Sequence, residues 1–176
     1  MPYSIDTPFI LIIFGASGDL AKLKLFPALY ELMHQKRLPT QFYIIGFART
    51  KKSLQKFRQE FKDSILKAHN SQAENETLQT LLNHVHYLEG QYNERSSFLI
   101  LQRHIKKLTK NKKYCMIHYF AVPPSVYQDI IENLGETRTN KEEDMRLVIE
   151  KPFGEDTKSA EDLFHFAMNY FKEDEI

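Results

Sequence analysis

At 176 residues the chain is long enough for one well-cored α/β domain and too short for two ordinary ones. Its formal charge of +1, with acids and bases interspersed, gives no case for a nucleic-acid or membrane surface. The single cysteine, Cys115, excludes a disulfide framework and fits a reducing compartment. No apolar run approaches the roughly 20 residues of a spanning helix, so a soluble, cytoplasmic protein without a signal peptide is expected.

Strand-like and helix-like segments alternate along the chain. Residues 8–14, rich in Ile and Phe, are unbroken apolar sequence, the pattern of a parallel strand buried on both faces. Helical spacing follows through Leu20, Leu23, Phe26, Leu29, Tyr30 and Met33. Pro27 lies inside it, so the helix is expected to kink there or to restart with Pro27 in its first turn. Residues 42–46 read as a second strand and 53–68 as an amphipathic helix with Leu54, Phe57, Phe61, Ile65 and Leu66 on its apolar stripe. Residues 70–77 are polar and predict a surface turn between helices. A third strand over 84–89, a helix over 96–109, a strong strand over 114–122 and a helix over 124–134 come next. The lysine-rich stretch 106–113 reads as a solvated helix end. A loop over 135–144, a buried strand over 146–150 and a last helix over 157–172 complete the series. This alternation predicts an α/β fold: a doubly wound, mostly parallel sheet with helices on both faces, Rossmann-like.

In such sheets ligands bind outside the carboxyl ends of the strands. The first strand ends in Gly15-Ala16-Ser17-Gly18-Asp19-Leu20-Ala21. Gly15 permits a tight turn, and Gly18 lets a ligand approach where a Cβ would clash. The following helix aims its free N–H groups at the turn, where a phosphate binds. The spacing is Gly-x-x-Gly-x-x-Ala, with alanine where the full dinucleotide fingerprint has a third glycine. It is not a P-loop, because Lys22 lies too far from Gly15 and Leu23 replaces the magnesium-binding hydroxyl. The second strand ends in Gly46-Phe47-Ala48-Arg49-Thr50. An NAD-binding chain usually carries an acid here; Arg49 in its place suits the 2′-phosphate of NADP.

The strong strand over 114–122 ends in Tyr119-Phe120-Ala121-Val122-Pro123-Pro124, where Ala121 and Val122 are small enough to let a cofactor pass. The last strand ends in Glu150-Lys151-Pro152-Phe153-Gly154, a charged pair leaving a buried strand. The segment Gly90-Gln91-Tyr92-Asn93, after the third strand, is a further candidate cofactor contact. His84 and His86 are spaced to share a strand face, yet no acid or Cys cluster supports a metal, and none is expected.

Taken together, Gly15–Ala21, Gly46–Arg49, Tyr119–Pro124 and Glu150–Gly154 resemble the coenzyme domain of the glucose-6-phosphate dehydrogenase family over nearly the whole chain. The resemblance implies one NADP-binding domain over 1–176, with Gly15, Ala16, Ser17, Gly18, Asp19 and Leu20 around the pyrophosphate and Arg49 on the 2′-phosphate. It implies Tyr119 at the nicotinamide half of the cofactor, and Lys151 reaching both NADP and the sugar phosphate. The full-length enzyme would oxidise glucose 6-phosphate to 6-phosphogluconolactone, the first step of the oxidative pentose phosphate pathway, as a homo-oligomer. The family's sugar-phosphate segment, and its catalytic histidine later still in a C-terminal α+β domain, have no counterpart before Ile176. No catalytic residue is therefore assigned within this chain, and by itself it is expected to lack turnover. Two alternatives stay open: a non-catalytic NADP-binding or regulatory module, and an NADP-dependent reductase of another substrate.

Overall fold

The computed structural model describes residues 7–110, 112–138, 144–151 and 156–176. Five strands form one sheet: β1 (Phe9–Phe14), β2 (Phe42–Ala48), β3 (Val85–Glu89), β4 (Cys115–Phe120) and β5 (Met145–Ile149). All pairings are parallel and the order is β3-β2-β1-β4-β5, so the chain winds outward in two directions from β1. The reversal point lies between β1 and β4, which are hydrogen-bonded neighbours. This is the doubly wound sheet that the alternating pattern predicts.

Six α-helices are described: α1 (Phe26–His34), α2 (Leu54–Ala68), α3 (Asn75–Asn83), α4 (Arg95–Thr109), α5 (Tyr127–Thr137) and α6 (Thr157–Met168). They divide between the two faces. One core joins Ile10, Ile12 and Phe14 to Phe98 and Leu101 of α4, Ile130 and Ile131 of α5 and Leu163 of α6. The other joins Phe9 and Ile13 to Phe26 of α1, Phe57 and Phe61 of α2 and Leu78 of α3. Successive β1 side chains thus enter opposite cores, which is why the strand tolerates no polar residue. Each fully buried Phe or Ile contributes about 1.5–3 kcal/mol of transfer free energy.

Several boundaries differ from the sequence-based expectation. Pro27 does sit in the first turn of α1, preceded by a π-helical turn over Ala21–Leu25. The Phe26 amide donates to the Ala21 carbonyl, a wider hydrogen-bond loop that carries the chain past the proline. The turn after α2 is shorter than expected: α3 begins at Asn75, its polar start masking Leu78, Leu81 and Leu82, which are buried at helical spacing. β2 runs on to Ala48, and α5 runs on to Thr137, into the expected loop. The last helix ends at Met168, earlier than 172. His84 stands outside β3 as the C-cap of α3, its ring nitrogen bonded to the Phe42 carbonyl at 2.8 Å, so it does not share a strand face with His86. Cys115 is half-buried. Residues 139–143 and Pro152-Phe153-Gly154 lie outside the described residues.

Candidate functional site

The glycine turn forms because β1 must stop between two neighbours. The Gly15 amide donates to the Phe47 carbonyl on β2 at 2.9 Å, and the Ala121 amide donates to the Phe14 carbonyl at 2.9 Å. Gly15 then adopts φ +81°, in the left-handed region. A Cβ there would lie 2.2 Å from the Ala121 carbonyl oxygen, so the turn packs directly against the end of β4. The Gly18 amide closes the turn on the Gly15 carbonyl at 2.8 Å. A Cβ at Gly18 would meet only that carbonyl, at 3.2 Å. The fold therefore dictates glycine at position 15 and is less strict at position 18, where a Cβ would be a tight fit that the Gly15 carbonyl must shift by a few tenths of an ångström to admit.

A cleft of about 170 Å³ opens at this point, lined by Gly15, Ser17, Gly18, Arg49, Thr50, Tyr92, Ala121, Val122 and Pro123. It draws on the ends of β1, β2 and β4 and on the segment after β3, the switch point of the sheet. Four sequence-predicted segments meet here, Gly90–Asn93 through Tyr92, and the structure adds how they are held. The Ser17 and Thr50 hydroxyls lie 3.3 Å apart, joining the glycine turn to the residue after Arg49. The Arg49 guanidinium stands over the Tyr92 ring, 5.4 Å from its centroid, in a cation–π contact. Tyr92 is buried; burial raises its phenol pKa, and the Arg49 charge pulls the other way. Tyr87 on β3 donates its hydroxyl to the Thr50 carbonyl, tying down the backbone that presents Arg49.

The basic run after β2 is not uniform. Lys52 turns away to Glu60 on α2, 2.6 Å distant, and Lys22 approaches the same carboxylate at 3.5 Å. Burial alone would raise the Glu60 pKa, but the two lysines outweigh it and hold the group below its usual range. Arg49 and Lys51 are exposed.

The other predicted residues take different positions. Ala16 is fully buried, and a Cβ on Gly46 would come within 2.9 Å of its methyl. Asp19 and Leu20 are exposed beyond the turn, Asp19 lining a separate groove with Lys22 and Glu60. Tyr119 and Lys151 do not line this cleft; they stand at the ends of β4 and β5. Tyr119 is half-buried and donates its hydroxyl to the Glu150 carboxylate. Burial, with Glu150 adding to it, pushes the Tyr119 pKa up to about 12. Lys151 is exposed.

The arrangement suits a dinucleotide. The left-handed glycine, the missing side chain at Gly18 and an exposed guanidinium at the end of β2 are what a diphosphate and a ribose phosphate require. Comparison with known proteins agrees. A family model described as "Glucose-6-phosphate dehydrogenase, NAD binding domain" matches residues 12–176. The glucose-6-phosphate 1-dehydrogenase of Aspergillus niger is 36% identical over 95% of this chain, and the match covers 32% of that protein. The cytoplasmic glucose-6-phosphate 1-dehydrogenase 5 of Arabidopsis thaliana is 36% identical over 94% of the chain and 34% of its own length. A solved glucose-6-phosphate dehydrogenase in complex with its substrate glucose-6-phosphate superposes with a TM-score of 0.88 at 33% identity, over 99% of this chain and 37% of that one. The Mycobacterium avium enzyme gives 0.85 at 30% identity, over 97% of this chain and 35% of its own. The chain thus spans about a third of the length of the curated relatives it matches. With its fold, its glycine turn and these likenesses in agreement, the chain belongs to the glucose-6-phosphate dehydrogenase family and corresponds to that family's NAD-binding domain.

Proposed function

We propose that residues 1–176 form one NADP-binding domain, serving an enzyme that oxidises glucose 6-phosphate at C1 to the 6-phosphogluconolactone. The observation that carries the cofactor preference is Arg49, exposed at the end of β2 and stacked over Tyr92. A carboxylate there would accept bonds from the ribose hydroxyls of NAD but repel a 2′-phosphate. A guanidinium grips that phosphate with paired charge-assisted hydrogen bonds. Gly15–Leu20 would receive the pyrophosphate, the turn's backbone and the following helix start supplying donors. Tyr119 would flank the nicotinamide half, and Lys151 would reach both cofactor and sugar phosphate. When bound, the nicotinamide supplies the hydride acceptor. The chain's own contribution is to bind and orient it: among the described residues no histidine lines the cleft, so proton removal is not assigned here. The proposed compartment is the cytoplasm, as for the Arabidopsis relative, and the proposed full enzyme is a homo-oligomer.

The test is titration calorimetry with NADP⁺ and NAD⁺. The wild-type chain should prefer NADP⁺, and Arg49→Ala should reduce that preference about tenfold or more, the worth of one charge-assisted contact. A variant that kept the full preference would remove Arg49 from the role.

A further inference from the structure

Glu150 follows the last residue of β5, and its carboxylate accepts the Tyr119 hydroxyl from β4. Both side chains belong to the sheet face covered by α1, α2 and α3, and those helices pack chiefly over β1, β2 and β3. Among the described residues, no helix covers this face over β4 and β5 as it does over β1–β3: Ile117 and Tyr119 are half-buried, and Arg146 and Val148 are exposed. A carboxylate is thus held by a phenol at the carboxyl end of the sheet, beside the switch point. Its charge is felt by two phenols: burial raises the pKa of Tyr119 and of Tyr127, and Glu150 adds to both. A simple brace between strands would need no negative charge.

The consequence rests on the dinucleotide reading above. A cofactor with its adenosine phosphate on Arg49, at the end of β2, and its diphosphate at Gly15–Gly18, at the end of β1, continues over the ends of β4 and β5. Its far end is a nicotinamide, a pyridinium cation when oxidised and uncharged when reduced. We propose that Glu150 is a specificity-determining residue that favours the oxidised cofactor over the reduced one, with Tyr119 as the positioning residue that fixes its carboxylate. Coulomb attraction acts only on the cation, so it separates the two redox forms where shape cannot. Lys151 and Arg146 act in the opposite sense, but both are unchanged when Glu150 alone is varied.

Glu150→Gln tests this, because glutamine keeps an acceptor for the Tyr119 hydroxyl and removes only the charge. Affinities of the whole chain for NADP⁺, NADPH and adenosine 2′,5′-bisphosphate are measured for wild type, Glu150→Gln and Tyr119→Phe. The ratio of NADP⁺ to NADPH affinity should fall about tenfold in Glu150→Gln, mostly through NADP⁺. It should fall less, about threefold, in Tyr119→Phe, where the carboxylate stays but is no longer fixed. Adenosine 2′,5′-bisphosphate, which lacks the nicotinamide, should bind all three proteins alike. Equal weakening of NADP⁺ and NADPH in Glu150→Gln would reduce Glu150 to a structural brace and overturn the proposal. Failure of wild type to bind the bisphosphate and NADP⁺ would instead sink the cofactor reading on which it rests.

Discussion

Gly15→Ala is expected to destabilise the folded chain by about 2–5 kcal/mol, whereas Gly18→Val is expected to cost clearly less stability and to abolish cofactor binding. The two glycines stand three residues apart, and the structure gives the physical basis for their different roles. At Gly15 the backbone is left-handed, at φ +81°, and an added Cβ would press on the Ala121 carbonyl at 2.2 Å. Backbone oxygen in a paired strand cannot step aside, so β1 and β4 would have to part at the switch point. Strain of that size is a large share of a domain's usual 5–15 kcal/mol or so. At Gly18 φ lies outside the left-handed region and the nearest obstacle is 3.2 Å away. A valine there needs the Gly15 carbonyl to give by a few tenths of an ångström, a smaller strain than at Gly15, and adds bulk to a cleft that Ser17 and Arg49 also line.

Losing two charge-assisted contacts to the diphosphate would weaken binding by at least about a hundredfold. Urea unfolding midpoints and NADP⁺ titrations on both variants give four numbers. Unchanged stability in Gly15→Ala would contradict the steric account of the turn. Undiminished NADP⁺ binding in Gly18→Val would place the phosphate elsewhere.

What the sequence discloses, and what it hides, follows from how far each signal reaches along the chain. β1 is legible because burial on both faces demands six apolar residues in a row. Arg49 is legible because its place is fixed by counting from a strand end. Its support is not: Tyr92 comes from a different segment, and only folding sets its ring beneath the guanidinium. The one local hint was an aromatic residue just after Gly90, at the end of a strand. Lys51 and Lys52 are indistinguishable on paper, yet Lys52 is drawn to Glu60 by the docking of α2. The π-helical turn is a response to Pro27 that depends on where the glycine turn releases the chain. α3 had a legible signal that its polar first turn obscured, the i, i+3, i+4 spacing of Leu78, Leu81 and Leu82. The Tyr119–Glu150 contact pairs residues 31 apart, on neighbouring strands whose order composition cannot give.

Acid should unfold this chain through His118, and His118→Phe should reduce that sensitivity. The strand pattern of β4 puts His118 on the same face as Met116 and Phe120, inside the core beneath α4 and α5. It is 1% exposed, its ring stacks on Phe14 at 6.1 Å, and neither ring nitrogen has a hydrogen-bond partner among the described residues. Burial first, and the Arg138 charge second, bring its pKa down to about 3 from 6.5, with only the Arg146 backbone opposing. The unfolded chain therefore takes up this proton before the folded chain does. The stability is present in full above the unfolded value of 6.5 and is lost progressively as pH falls from there toward 3. Each unit costs about 1.4 kcal/mol, or about 4 kcal/mol by three units below the unfolded value. His86, brought down to about 4 by burial and the neighbouring His104, adds to the same trend. A phenylalanine at 118 keeps a ring against Phe14 and has no proton to accept. Denaturant unfolding at pH 7.5 and pH 4.5 should show wild type losing clearly more stability than His118→Phe, by roughly 2–3 kcal/mol. Parallel losses in the two proteins would mean that His118 is already protonated in the folded core, or that water reaches it.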